Sequence, residues 1–439
     1  MKRIALLILA ASFFLTGCST GFMNMGDLMR PPKPTGENLQ MQEALEAKLG
    51  ADIILKYPRT GDYRTAYVEC NVNDDTDGEV IVFYKLNSES AGIRMNILKK
   101  IDGKWESSGD IEGEGTDVDK VIIADLDADG INEIVVGWNV ASSKEKLISV
   151  YNYHDDGSYT NRIAKRFSES YTIMEIMDFV GDGSQQILIV LLNSALKAST
   201  ASLVKSTAEG YKIIGKTQLD GSVTAYTNIL RGQVNDKVQG VYIDGSKGTN
   251  ATITELVYYA EDALTAPFYD EIENITAMTF RESTTLCRDV DNDGIIEIPM
   301  PVPLPGYEKK VLAEQVRMTN WYVYTGKGYE TKLNTVNNLS DGYIYVLSPA
   351  WVNRVSAKVI REERTLIFYE WVQDKGLSDF GPELLRIKTV PDTELENSIK
   401  DGFIKLDGKN GLNYMYKISN EDSTFGIKNE IAVRNFILL

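Results

Sequence analysis

Two stretches of the chain carry the residue types and the spacing of a loop that holds a hard cation. Asp125-Leu126-Asp127-Ala128-Asp129-Gly130-Ile131-Asn132-Glu133 and Asp289-Val290-Asp291-Asn292-Asp293-Gly294-Ile295-Ile296-Glu297 agree at every position that could supply an oxygen ligand. Alternate carboxylates in a tight loop converge on one point. The glycine allows the sharp reversal, the residue after it can offer its carbonyl, and the last carboxylate closes the shell. The expected ligands are Asp125, Asp127, Asp129, the carbonyl of Ile131 and Glu133, and correspondingly Asp289, Asp291, Asp293, the carbonyl of Ile295 and Glu297. Calcium, with six to eight oxygens near roughly 2.4 Å, suits such a shell. The competing reading is that the aspartates shape Asx turns and stay solvated. Crowded carboxylates repel without a cation, which favours the first reading.

Worn copies of the same loop define a repeat. One runs through Asn73, Asp75, Asp77 and Gly78, with Ile81 where the closing carboxylate should stand. Another runs through Asp178, Asp182 and Gly183, with Val180 and Gln186 in place of two ligands. Asn73, Asp75, Asp77, Asp178 and Asp182 are thus weaker metal candidates. Starts at residues 73, 125, 178 and 289 fit a period of about 54 residues with one silent copy, of which Asn235 and Asp236 are the remnant. A second landmark keeps the same phase: Asp102-Gly103-Lys104-Trp105, Asp156-Gly157-Ser158-Tyr159, Glu209-Gly210-Tyr211 and Gly328-Tyr329 each read as a hairpin turn ending in an aromatic residue. An insertion from Pro301 to Glu308 accounts for the late position of the last.

The elements that position these loops are strands. Val80 to Tyr84 and Val121 to Ala124 are short apolar runs rich in β-branched residues, and Ile93 to Ile97 alternates. About four strands fit in each unit, which predicts an all-β chain folded as a β-propeller over residues 60–439. About seven blades are expected, with six or eight allowed because degenerate blades are easily miscounted. Further units should start near residue 343, at Asp341-Gly342-Tyr343-Ile344-Tyr345-Val346, and near residue 397. A β-solenoid is the rival architecture. Ahead of the repeats, residues 37–59 hold a lead-in and a short N-terminal helix over Glu37 to Leu49. Met41, Ala44, Leu45 and Leu49 lie on one face that docks on the domain, and Gly50 is the stop.

The first residues point outside the cytoplasm. Lys2 and Arg3 precede the apolar run Ile4 to Leu15, which is too short for a stable span, and Leu15-Thr16-Gly17-Cys18 follows. This segment resembles the bacterial lipobox. The resemblance implies a signal peptide over 1–17 and a diacylated Cys18, with the chain held on the outer side of the cytoplasmic membrane. Two acyl chains suffice for stable anchoring. Residues 18–36, with Arg30-Pro31-Pro32-Lys33-Pro34, read as a tether. The acidic loops in turn resemble those of FG-GAP/VCBS-type propeller repeats, also seen in integrin α-subunits. That likeness implies structural calcium in the two intact loops.

Composition narrows the function. A formal charge of -17 argues against a nucleic-acid partner, which needs clustered Lys and Arg. The one histidine, His154, sits in a turn-like run, and no Ser-His-Asp set or phosphate loop is visible. Cys70 and Cys287 occupy similar places before two loops and are expected as separate buried thiols. Trp105 falls at a structural turn, which favours packing over sugar stacking. No catalytic residue is assigned. The expected function is an envelope binding or scaffolding module for a protein or glycan. The alternative is a polysaccharide hydrolase or lyase with carboxylates at the propeller mouth.

Overall fold

A computed structural model describes residues 36–439, apart from 51–52, 74, 87–91, 142–145, 156–161 and 374–379. Cys18, the signal segment, nearly all of the tether and the turn at Asp156 to Tyr159 lie outside the described residues. The chain is all-β apart from short helices. Among the described residues, six sheets follow one another along the sequence. The first contains β1 (Ile53–Lys56), β2 (Tyr67–Cys70), β3 (Glu79–Leu86), β4 (Arg94–Ile101) and β5 (Lys104–Glu112). In it β1 and β2 share one edge of β3, with Lys56 opposite Phe83 and Tyr67 opposite Val82. The second is β6 (Asp117–Ala124), β7 (Glu133–Asn139), β8 (Lys146–Tyr153) and β9 (Ile163–Tyr171). The third is β10 (Ile173–Met177), β11 (Gln186–Asn193), β12 (Ala198–Thr207) and β13 (Gly210–Leu219), and the fourth β14 (Ala225–Asn235), β15 (Val238–Ser246), β16 (Thr252–Ala260) and β17 (Ala263–Thr265).

The last two sheets are irregular. The fifth has the order β18 (Ile298–Pro303), β19 (Arg317–Tyr324), β20 (Tyr329–Asn338), β21 (Tyr343–Val346) and β27 (Phe436–Leu438). The sixth runs β22 (Val355–Ile360), β23 (Thr365–Glu370), β24 (Glu383–Pro391), β26 (Leu412–Ile418) and β25 (Ile404–Lys409). Successive four-stranded meanders are the construction of propeller blades. The solenoid is not found among the described residues: a solenoid stacks its turns through parallel ladders, whereas strands pair antiparallel in the first and the third to sixth sheets. Among the described residues the sheets number six, the lowest of the counts the period allowed. Residues 343–346 do not open a new unit: they form the fourth strand of the fifth sheet, with Asn338 opposite Tyr343. Nor does a unit begin at 397, where the short helix α2 (Leu395–Lys400) lies, preceding β25.

Local sequence explains the edges. In β18, Pro299, Pro301 and Pro303 recur at every second residue, so their missing N–H groups fall on one side while Met300 and Val302 can still donate to β19. Proline is confined to such edges because it cannot donate to a ladder. The hairpin turns need left-handed backbone: Asp102 and Gly103 have φ 50° and 77°, and Gly210 has φ 104°. These turns join the last two strands of a sheet, with Ile101 opposite Lys104 and Thr207 opposite Gly210.

Two compact units divide the chain: residues up to 123 with 134–142 and 151–165, and residues 124–133, 143–150 and 166–439. In the first, α1 (Glu37–Leu49) buries Met41 and Leu45 against Val80, Val82 and Leu98, with Ala44 and Leu49 beside them. Trp105 packs there too, and its indole N–H donates to Glu37 at 3.2 Å. In the second, Tyr345, Trp351, Phe368, Leu385 and Tyr416 share one core across the fifth and sixth sheets. Trp351 donates to the carbonyl of Phe425 at 2.8 Å. Among the described residues no helix is long and apolar enough to cross a membrane.

Candidate metal centre

The acidic loops are shaped by one set of backbone hydrogen bonds, used again in each copy. The first aspartate caps amides further along: Asp125 accepts from Ala128 (2.7 Å) and Gly130 (3.0 Å), Asp178 from Gly181 (2.6 Å) and Gly183 (2.9 Å), and Asp289 from Asp293 (3.1 Å) and Gly294 (2.8 Å). Two residues before the inward carbonyl position, Asp129 accepts from the amide of Ile131, Asp182 from Ser184 and Asp293 from Ile295. The closing side chain reaches back to the second residue: Glu133 accepts from Leu126 at 2.8 Å, Glu297 from Val290 at 2.7 Å, and Gln186 from Phe179 at 2.8 Å. Leu126, Phe179 and Val290 are buried and fix the register of loop on sheet. Gly130, Gly183 and Gly294 have φ near 90°, where a side chain is strained.

This skeleton places the first loop two residues earlier than the sequence reading. Val72 is its buried second residue, and the Val72 amide donates to Glu79 at 3.1 Å. Asn71 therefore opens the loop, and Glu79, not Ile81, takes the closing place. Ile81 is instead a core residue of β3. Asn73 and Asp75 remain in the loop, but Asn73 turns its amide inward and donates to Asp75 at 3.0 Å and to Glu79 at 2.6 Å. Asp77 gives its amide to Asp75, and its backbone carbonyl stands at the position matching Ile131 and Ile295. The sequence carried the signal that finds this frame: an apolar residue directly after the loop opening in all four copies.

Beside these backbone bonds, carboxylate oxygens of the two intact loops face one another. In 125–133, carboxylate oxygens of Asp125, Asp127 and Glu133 all lie within 4.8 Å of each other. Burial pushes the Glu133 carboxyl up to about 7, and the charges of Asp127, Asp129 and Asp125 push the same way against the Leu126 amide. Asp127 is raised as well, by burial and by Asp129. An all-oxygen set of this kind is the donor chemistry that suits a hard divalent cation such as calcium.

In 289–297 the four carboxylates of Asp289, Asp291, Asp293 and Glu297 are also within 4.8 Å of one another. Here a cation is built into the chain. The Lys332 ammonium, from β20, donates to Asp291 at 2.9 Å, to Asp293 at 2.6 Å and to Glu297 at 2.6 Å. Lys332 holds Asp293 below the usual carboxylate range, while burial raises Glu297 in spite of it. Lysines serve the worn loops too. Lys99 pairs with Asp75 at 2.7 Å and Lys205 with Asp182, whose carboxyl is lowered to about 2 by that contact first and Ser184 second. Sequence reasoning missed these lysines because they come from later strands, outside any loop motif. Cys70 and Cys287 are free thiols; burial pushes Cys70 up to about 12 and Cys287 well above its ordinary value. Neither is a nucleophile near neutral pH.

No protein-family model matches the chain, and no curated protein matches it. Solved structures that are similar include the rhamnogalacturonan lyase YesW, at 11% identity over 75% of this chain and 77% of that one, with a TM-score of 0.31. The Dos1 propeller aligns at 10% identity over 72% and 78%, with a TM-score of 0.32. Sqt1 of Chaetomium thermophilum aligns at 9% identity over 81% and 92%, with a TM-score of 0.31. The architecture rests on the sheets themselves and takes nothing from these alignments.

Proposed function

We propose that this chain is a non-catalytic binding module of the cell envelope. In this reading a diacylated Cys18 holds it outside the cytoplasmic membrane, and calcium in the acidic loops stabilises its sheets. The observation that carries the calcium part is the carboxylate cluster at 125–133, where oxygens of Asp125, Asp127 and Glu133 lie within 4.8 Å of one another. Asp125, Asp127, Asp129, the carbonyl of Ile131 and Glu133 would hold one ion. The set from Asp289 to Glu297, with the carbonyl of Ile295, would hold a second in exchange for the Lys332 ammonium. Such ions bind the folded chain alone, and at a hundred times Kd each adds about 2.7 kcal/mol of stability.

A binding role is supported over a hydrolase by the setting of the most perturbed carboxyl outside the loops. Glu255 is raised to about 7 by burial, yet it is fully buried and enclosed by Thr276 and the Asp220 amide. A general acid must reach its substrate. Melting in chelator and in millimolar calcium tests the calcium reading. A rise in Tm that shrinks in Asp127→Asn and in Glu133→Gln is expected, and an unchanged Tm rules it out. Affinity capture from the native envelope tests the binding role.

A further inference from the structure

A cleft of about 720 Å³ runs along β22, the edge strand of the sixth sheet, and faces Arg317, Asn337, Leu339 and Ser340. A second cleft of about 540 Å³ shares Ser340, Val359 and Arg361 with it and leads on to Asp341 and Arg364. The strand edge is open at its far end only: Val355 and Ala357 are buried, and Val359 is exposed. β22 pairs with β23 on one side, Val359 opposite Leu366, and with no named strand on the other among the described residues. In a strand the N–H and C=O of one residue point to the same side, and successive residues alternate. The carbonyl of Ala357 accepts the Tyr307 hydroxyl at 2.9 Å, so Ala357 turns its backbone away from β23. Val359, two residues on, does the same and presents its N–H and C=O to the cleft.

The side chains around that edge are aliphatic and cationic. Val359 is 44% exposed and Leu339 53%. Arg317 spends its two terminal nitrogens on the carbonyls of Glu282 and Pro301, and its Nε is buried without a partner. Arg361 is exposed at the junction of the two clefts. Lys358 lies over the Phe380 ring at 4.4 Å, and Glu314 and Glu362 line the cleft with it. Asp341 is taken up by Arg364 at 2.5 Å. In a chain of net charge -17, a cleft lined by Arg317, Lys358 and Arg361 against Glu314 and Glu362 is locally less acidic than the whole.

We propose that this cleft binds an extended peptide bearing carboxylate side chains, which pairs through its main chain with Val359 at the open end of the β22 edge. Main-chain pairing supplies affinity in such augmentation, and alternate side chains supply specificity. Here one set would meet Leu339 and Val359, and carboxylates would meet Arg361 and Arg317. A saccharide fits less well: Tyr307 is the single aromatic lining residue, and it is buried with its hydroxyl committed to Ala357. The inference rests on the binding-module reading and names the chemistry of the partner.

The test is fluorescence anisotropy on the full chain with short labelled probes. One peptide alternates valine with glutamate, one carries lysine in place of glutamate, two carry backbone N-methyl groups on one or the other set of alternate residues, and one probe is an oligogalacturonate. The acidic peptide should bind saturably, and the lysine peptide and the Arg361→Glu variant should each lose about tenfold in affinity. One of the N-methylated peptides should lose binding altogether. Equal affinity for the acidic and basic peptides, indifference to N-methylation at both sets, or oligogalacturonate binding as tight as the acidic peptide would each overturn the assignment. An envelope partner captured equally by wild type and Arg361→Glu would sink the cleft while leaving the binding role intact; no captured partner at all would sink the role.

Discussion

Lys332 stands at the meeting point of three carboxylates that a cation would otherwise join. Its side chain is largely withdrawn from solvent, so its removal strands Glu297, which is fully buried, beside two aspartates. Lys332→Met should therefore lower stability in chelator by about 2 kcal/mol, less than the loss of a wholly buried partner. The same variant should show a larger gain in Tm on adding calcium than wild type does, because the ion no longer competes with an ammonium. Differential scanning calorimetry with chelator and with calcium checks both. A calcium response equal to that of wild type would mean that the lysine is simply the loop's permanent counter-ion. At this scale the sequence was legible where ligand and glycine spacing is local, at 125–133 and 289–297. It misled where two asparagines and three aspartates allowed two frames, at 71–79. What decided the frame was the burial of Val72, a tertiary fact.

Between the fourth and fifth sheets the chain leaves the repeat and runs without regular strands until β18. Asp244 and Arg281 tie this excursion to β15 and β16. Both are almost fully buried, their ion pair is 2.8 Å long, and Asp244 also accepts from Thr254 at 2.5 Å and from the Cys287 amide at 2.8 Å. Arg281→Met leaves Asp244 charged and buried, which costs about 3–5 kcal/mol. Asp244→Asn in the same chain should restore part of that loss, since the lone charge goes with it. Urea unfolding of the single and double variants checks the coupling; strict additivity would show that the pair does not act as a unit. The regular elements were readable because turn chemistry repeats. Asp102-Gly103 must turn tightly, and the silent fourth loop survives as the short turn at Asn235, whose side chain caps Lys237 and Val238. The excursion was not readable, because its order comes from Arg281 and Thr276 finding buried acids far away in sequence.

For the molecule as a whole, the acid-rich composition makes stability depend on pH in a way set by a few buried groups. Glu255 has its carboxyl raised from 4.5 to about 7, chiefly by burial and against the Asp220 amide and Thr276. The folded chain thus keeps a proton that the unfolded chain releases. That contribution is present at low pH and is lost as pH rises from 4.5 toward 7, by about 3 kcal/mol. Asp220 runs the other way. Burial pushes it up, but Lys247, Ser222 and the Thr276 amide hold it below its usual value, so its support fades as pH falls through the acid range. Urea midpoints at pH 5 and pH 8 should differ more in wild type than in Glu255→Gln; an equal difference in both would acquit Glu255. The all-β repeat was visible at this scale from two landmarks in phase. The count of sheets was not, because β21 begins with the Asp-Gly-Tyr signature of a new unit and yet completes an old one.

The place of β27 has a consequence for how the chain can come apart. It pairs with β21, Phe436 opposite Tyr345, although the whole sixth sheet lies between them in the sequence. That sheet is therefore nested inside its neighbour like a clause within a sentence. The fifth sheet cannot gain its last strand until the sixth has been traversed, and a chain cut short before residue 436 would leave β21 as a bare edge.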